Sequence, residues 1–318
     1  MRYACLTSCS DPAAMTLPLK GMLLKLLAVF CFTGLSGLVR HIGTAVPAGE
    51  VVCFRAFFTI VPLLAWLAYE GELKTALRTQ HPLGHFFRGL TGICAMFFMF
   101  TGLALLPLAE ATAISFAMPL ISVAFAALFL KEKVRLFRWS AVAVGLAGVL
   151  IILWPRFGGG DLTSTAAIGA LASLIGAVLS AGAVVQIRRL TYTETTGAIV
   201  FYFALYSTLM ALATAPFGWV VPDIETTAAL IATGLLGGVA QILMTQSYRY
   251  ADASLLAPFD YTAIIWATAL GWVAFREVPG PMVLVGAAIV VGAGLAVIWR
   301  ERRLGLKRSR ERQAATPE

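Results

Sequence analysis

Three ionisable side chains, Lys25, Arg55 and Asp260, stand inside long apolar runs of the sequence. A charge placed in hydrocarbon is costly, so each must face a protein interior or reach toward water. Asp260 offers the most chemistry. It lies between Pro258 and Tyr261, and a proline removes a backbone donor and bends its helix. A carboxylate beside such a bend can bind a cationic or hydrogen-bonding solute, or take up a coupling proton. Its structural alternatives are inner-face water or a pairing with Arg249. Arg55 can bind an anionic group of a solute or close an outer gate through an ion pair. It can equally snorkel toward Glu50 or lipid headgroups. Lys25, one turn inside its run, is expected to snorkel.

Around these charges stand uncharged groups with weaker signals. Gln241, with Gln186 and Gln246, can hydrogen-bond a solute or a neighbouring helix. Tyr261, Trp266, Phe97, Phe98 and Phe116 can stack on a flat ring, or simply pack. Pro119 and Pro258 predict helix bends. Glu110 and Asp252 open helices, where a negative side chain complements the dipole. Glu132 and Glu277 close helices and suit gate or loop ion pairs.

Catalytic and cofactor chemistry finds no pattern. His41, His81 and His85 read as loop residues, with no paired-histidine metal motif, nucleophile elbow or glycine-rich phosphate loop. That disfavours a polytopic membrane enzyme and an ATP-driven pump, and implies neither metal nor cofactor. The five cysteines, Cys5, Cys9, Cys31, Cys53 and Cys94, suggest no disulfide framework.

The elements that must position these residues follow from composition. The 318 residues are 59% hydrophobic and 13% charged, with a mean hydropathy of +0.86. That leaves too little polar surface for a soluble globule. The apolar residues come in runs long enough to span a bilayer core. Five are read at 22–39, 51–69, 86–107, 111–130 and 138–154, and five more at 166–186, 197–218, 227–248, 253–275 and 281–299. The expected organisation is a disordered leader at 1–19, a five-helix unit at 20–154, a linker at 155–165 around Gly158–Asp161, a second unit at 166–299 and a basic tail at 300–318. Met15 and Met22 are alternative starts.

Basic residues orient the bundle, because short cytoplasmic loops collect Lys and Arg. With both termini inside, Arg40, Arg156 and Arg276 are the only basic side chains outside, against the 24 in the chain. The net charge of +8 then follows loops and tail facing anionic lipid, and no nucleic-acid partner is needed.

Segments about 145 residues apart correspond. Ala109-Glu110-Ala111-Thr112 matches Ala251-Asp252-Ala253-Ser254, and Leu130-Lys131-Glu132-Lys133-Val134 matches Phe275-Arg276-Glu277-Val278. Five spans per half is odd, so the second half enters the membrane from the opposite face. The expected fold is an all-α membrane protein of ten transmembrane helices in two inverted five-helix repeats. That architecture places a binding site near the midplane where the halves meet.

Arg55, the run Ala113 to Leu120, Leu130-Lys131-Glu132, Ala257-Pro258-Phe259-Asp260-Tyr261 and Phe275-Arg276-Glu277, in this order, resemble the EamA-type members of the drug/metabolite transporter superfamily over about residues 20–299. The family pattern usually has a glycine before each helix-ending glutamate, where this chain has Lys131 and Arg276. The resemblance implies alternating-access transport of a small organic solute across the cytoplasmic (inner) membrane without ATP, with both termini cytoplasmic. Among bacterial relatives the subgroup carrying riboflavin or S-adenosylmethionine is nearest, so a planar vitamin- or nucleoside-like solute such as riboflavin is expected. S-adenosylmethionine, amino acids or drugs are the alternatives. The expected partners are that solute and the bilayer, with a homodimer left open. The candidate binding or coupling residues are Asp260, Arg55, Tyr261, Trp266 and Gln241.

Overall fold

The computed structural model describes residues 12–73, 78–129, 136–157, 164–190, 193–251 and 253–314. Its regular elements are all helical. They are α1 (Pro12–Ile42), α2 (Ala48–Tyr69), α3 (Pro82–Leu105), α4 (Leu108–Ser115), α5 (Ala117–Phe129) and α6 (Leu136–Phe157). Then follow α7 (Thr165–Leu190), α8 (Thr196–Leu212), a 3-10 turn (Ala215–Phe217), α9 (Ile224–Tyr250), α10 (Ala253–Asp260), α11 (Ala263–Phe275) and α12 (Pro281–Ala314).

Among the described residues, 8 helical stretches are long and apolar enough to cross a bilayer. The chain is therefore an all-α membrane protein. The two other expected spans are shorter: α8 carries an apolar stretch at Gly197–Leu212, and the run expected at 253–275 is the broken pair α10 and α11. Leu23, Leu27 and Phe30 on α1, Trp272 and Val273 on α11, and Leu284 and Val285 on α12 are exposed, as lipid-facing side chains must be.

The chain's ends depart from expectation. Residues 12–19, expected to be a disordered leader, begin α1, and α12 continues from the last span through much of the basic tail. Gly158–Asp161 of the linker, Lys131, Glu132 and Asp252 lie outside the described residues.

Local sequence sets the helix starts. Pro47 and Pro107 stand extended just before α2 and α4, and Pro82 is the first residue of α3, where a missing N–H costs nothing. Thr195 and Asp223 cap α8 and α9 by accepting from Ala198 N and Thr226 N. Both broken helices interrupt beside the prolines read as bends. Pro119 follows the break at Phe116, and Pro258 precedes the one at Tyr261–Thr262. There Tyr261 N and Thr262 N bond back to Pro258 O (3.3 Å) and Phe259 O (3.1 Å), a tighter turn than the α-helix. The two breaks meet: the Phe116 and Tyr261 rings pack edge to face at 5.3 Å.

Packing runs across the two halves of the chain. α1 lies along α9 and also meets α10 and α11, while α7 lies along α3 and also meets α4 and α5. α6 packs on α12. Small residues allow the close approaches. A methyl on Gly176 of α7 would stand 3.0 Å from Met99 N, and one on Gly148 of α6 would stand 2.9 Å from Gly286 O on α12. Hydroxyls within the spans fold back onto their own helices, as Thr33 does to Val29 O (3.0 Å) and Thr112 to Leu108 O (2.7 Å).

Candidate functional site

The packing of α1 against α10 brings Lys25 to Asp260. Nζ stands 2.7 Å from Oδ1; the Lys25 side chain is 1% exposed and that of Asp260 45%. Lys25 therefore does not snorkel, because a carboxylate lies within reach across the helix pair and the surrounding bundle shuts off the route to the interface. Asp260 meets Lys25; the side chain of Arg249, its other suggested partner, lies outside the described residues. Breaking a buried ion pair by removing one member is strongly destabilising, so the carboxylate is a structural partner of the buried ammonium.

Tyr261, next in sequence, is buried at the break, with its ring against Phe116 and its hydroxyl end against Gly294 of α12. Trp266, about one turn along α11 from the break, packs edge-on to Phe30 of α1 at 5.2 Å. Both rings lie on the exposed perimeter. Gln241 is half-buried on α9, and its backbone carbonyl accepts from Thr245 Oγ1 at 2.8 Å.

At the other end of α1, Arg40 grips the second half of the chain. Nε and Nη2 donate to Glu277 Oε1 at 2.9 and 2.7 Å, and Nη1 donates to Ala104 O at 2.7 Å. That carbonyl is among the unsatisfied ones at the end of α3. The second carboxylate oxygen of Glu277 accepts from Leu108 N at 2.8 Å, where an anion at the start of α4 complements the helix dipole. One carboxylate thus ties α1, the α3–α4 turn and the α11–α12 turn together. The chain reaches it through Arg276, whose φ is +57°, with Glu277 N returning to Gly271 O at 2.9 Å. A left-handed helix end is where glycine is favoured, yet this chain holds it with Arg276. Glu277 is readable in sequence as a gate residue; Arg40 shows there only as an outside charge.

Arg55 does not reach toward Glu50. Glu50 is buried at the start of α2 and accepts from Val220 N at 3.1 Å, while Arg55 turns inward, with Nη1 3.0 Å from Met96 Sδ on α3. Arg88, read from sequence as an inner-side charge, also lies within α3, its guanidinium 4.1 Å from the centre of the Phe203 ring on α8. Neither arginine pairs with a carboxylate among the described residues, where the ion pairs join Lys25 to Asp260, Arg40 to Glu277, His41 to Glu225 and His85 to Glu194.

His85 is the one histidine of the three that is not near a loop surface: it is fully buried in α3, tilted against Tyr202 at 4.9 Å. Glu194 holds the start of that helix. Its Oε1 accepts from Thr79 Oγ1 (2.8 Å), Gln80 N (2.8 Å) and His81 N (3.0 Å). Burial pushes the Glu194 carboxyl up, but these bonds and the nearby His85 outweigh it and hold the group below the usual glutamate range. Thr79, Gln80 and Glu194, with Arg78, Thr193, Thr195 and Tyr202, line an open cleft of about 580 Å³.

Among the described residues no group of three or more His, Cys, Asp or Glu could hold a metal ion. The arrangement provides ion pairs between segments far apart in sequence, two helix breaks in contact, and two arginines facing inward.

A model of the EamA-like transporter family matches residues 19–154 and again 167–299. The S-adenosylmethionine uptake transporter of Rickettsia bellii is 29% identical over 83% of this chain and 88% of its own length. The pseudopaline exporter of Pseudomonas aeruginosa is 31% identical over 87% of this chain and 95% of its own. The riboflavin transporter of Vibrio cholerae is 29% identical over 86% and 91% respectively.

Proposed function

The chain belongs to the EamA-like transporter family, and on that premise we propose that it is a secondary carrier moving a small organic metabolite by alternating access. The proposed organisation is ten spans in two inverted five-helix repeats, 20–154 and 166–299, with α8 and the broken pair α10–α11 completing the eight longer helices. The double family match, the reciprocal packing of α1 on α9 and of α7 on α3, and the contact between the helix breaks at Phe116 and Tyr261 support it. The charge bias supports a cytoplasmic membrane location with both termini inside.

The observation that carries the reading is the double tether of α1. Lys25 and Arg40 are fifteen positions apart, roughly 22 Å along a helix, and each is bound to a carboxylate of the second half. A helix tied at two depths to the opposite repeat can be released at one end while held at the other, which is what alternating access requires. In the proposed orientation Arg40 and Glu277 close the outer face. Asp260, accessible and paired with Lys25, is the coupling residue: a proton or a cationic group of the cargo on its carboxylate frees Lys25. Tyr261 transmits that change at the helix break, and Gln241 contributes from α9, while Trp266 packs on α1 at the perimeter.

The cargo is proposed to be of the size and kind carried by the relatives, with riboflavin and S-adenosylmethionine equally supported. Counterflow into proteoliposomes with labelled riboflavin, S-adenosylmethionine and amino acids tests the proposal. Saturable exchange of at least one compound supports the carrier, and non-saturable leakage of all of them removes it.

A further inference from the structure

Arg55 and Arg88 converge on one face of α3. Arg55 Nη1 stands against Met96 Sδ at 3.0 Å, and Arg88 Nη1 reaches up to Gly92. Gly92 and Met96 are four positions apart, hence on the same face and one turn, roughly 6 Å, from each other. The two guanidiniums are close enough to feel one another's charge. Gly92 makes room for Arg88, since a methyl there would collide with Nη1, while Gly237 of α9 lies beside Arg55, a methyl there standing 3.6 Å from Nε.

Nothing among the described residues answers this doubled positive charge. Arg55 Nε and both Nε and Nη1 of Arg88 are shut away from solvent without a hydrogen-bond partner. Met96 offers a weak sulfur acceptor, and Phe203 a ring face below Arg88. Either softens a cation without neutralising it. Two like charges in low dielectric, with donors left over, form a costly arrangement unless something negative completes it. Guanidinium forks match the oxygens of a carboxylate or phosphate.

We propose that Arg55 and Arg88 are a paired receptor for an oxyanion group of the cargo, so that the transported solute is an organic anion or carries a carboxylate or phosphate. The site lies between α2, α3, α8 and α9, whereas Lys25 and Asp260 stand on α1 and α10. A cargo bearing both an anionic and a cationic end would thus find a complement for each. The inference rests on the carrier reading for its consequence, but its test does not need transport.

Thermal unfolding of the purified full chain in detergent, followed by tryptophan fluorescence at constant ionic strength, reads the site directly. The probes are succinate, its neutral diamide and inorganic phosphate, each against chloride. Succinate, phosphate or both should raise the midpoint of the wild-type protein by several degrees, because a ligand that binds only the folded state stabilises it, and the diamide should not. The larger of the two anion shifts identifies the oxyanion preferred. Arg55→Gln and Arg88→Gln should each abolish the anion shift while leaving the ligand-free midpoint equal to or above wild type, since each removes a buried repulsion. A residue serving only to hold the fold would lower that midpoint. The proposal is overturned if neither anion shifts the wild type, if the variants respond as the wild type does, or if the ligand-free variants are markedly less stable. Saturable counterflow together with such a result would leave the carrier standing and remove only the anion receptor.

Discussion

Lys25 Nζ and Asp260 Oδ1 lie 2.7 Å apart, joining the first helix of the chain to the broken helix of its second half, with the lysine side chain buried and the aspartate side chain partly accessible. That asymmetry makes the two members unequal. Asp260→Asn takes the paired carboxylate from a fully buried ammonium and should cost about 3–5 kcal/mol of stability, whereas Lys25→Met leaves a carboxylate with access to water and should cost less. The double variant should recover most of the stability without recovering transport. Thermal unfolding of the three variants, beside counterflow, checks the order. A Lys25→Met variant less stable than Asp260→Asn would contradict it.

The Arg40–Glu277 latch should govern how often the outer face opens. Charge-assisted hydrogen bonds contribute roughly 1.5–3 kcal/mol each, so Glu277→Gln should raise the outward-open population about tenfold or more. The reporter is Val51→Cys in a background without the native cysteines. Val51 is 2% exposed and lines a small cavity of about 160 Å³ with Val39, Phe100 and Ala104. Its labelling by an impermeant maleimide should accelerate in the Glu277→Gln protein. An unchanged rate would mean that the latch does not hold the outer face.

A pair of neighbouring glycines separates packing at the helix break from packing elsewhere. A methyl on Gly294 would run into the Tyr261 hydroxyl, while one on Gly292 meets open space. Gly294→Ala should cost about 1–3 kcal/mol through overpacking and lower the transport rate by displacing Tyr261, whereas Gly292→Ala should be neutral in both. Equal behaviour of the two variants in unfolding and counterflow would rule out a tight Tyr261–Gly294 contact.

Glu194 gives the protein a predictable acid sensitivity. Its folded pKa is depressed below an unfolded value of about 4.3, so its stabilisation of the α3 start is complete above that value and is lost as pH falls through the folded pKa. Glu194→Gln should therefore be less stable than wild type at neutral pH, with the gap closing on acidification below about pH 4. Midpoints of thermal unfolding across that range read the gap, and a gap that widens toward low pH would refute the assignment.

Much of this was legible in the sequence. Apolar runs mark most of the helices to within a few residues, α1 and α12 running well beyond theirs at the chain's ends, and Pro119 and Pro258 mark the two breaks. The embedded charges were visible too, but not their destinations. Lys25 sits where snorkelling is possible, and only the packing of α1 on α10 reveals a carboxylate nearer than the interface. Arg88 reads as an inner-side charge because it falls near the start of its apolar run, and its inward direction depends on the room left by Gly92. Arg40 and Glu277 lie 237 positions apart, so their contact is a property of tertiary packing that no local pattern carries. The helix that merges the expected leader into α1 was missed because residues 12–19 carry few charges or apolar repeats to announce it.

Counterflow remains the most direct measurement. Proteoliposomes preloaded with an unlabelled compound and diluted into its labelled form should show a transient, saturable accumulation for at least one of riboflavin, S-adenosylmethionine or an amino acid. Asp260→Asn should abolish it. Linear, non-saturable entry of every compound, equal in wild-type and Asp260→Asn vesicles, would contradict a carrier that works by alternately releasing the two ends of α1.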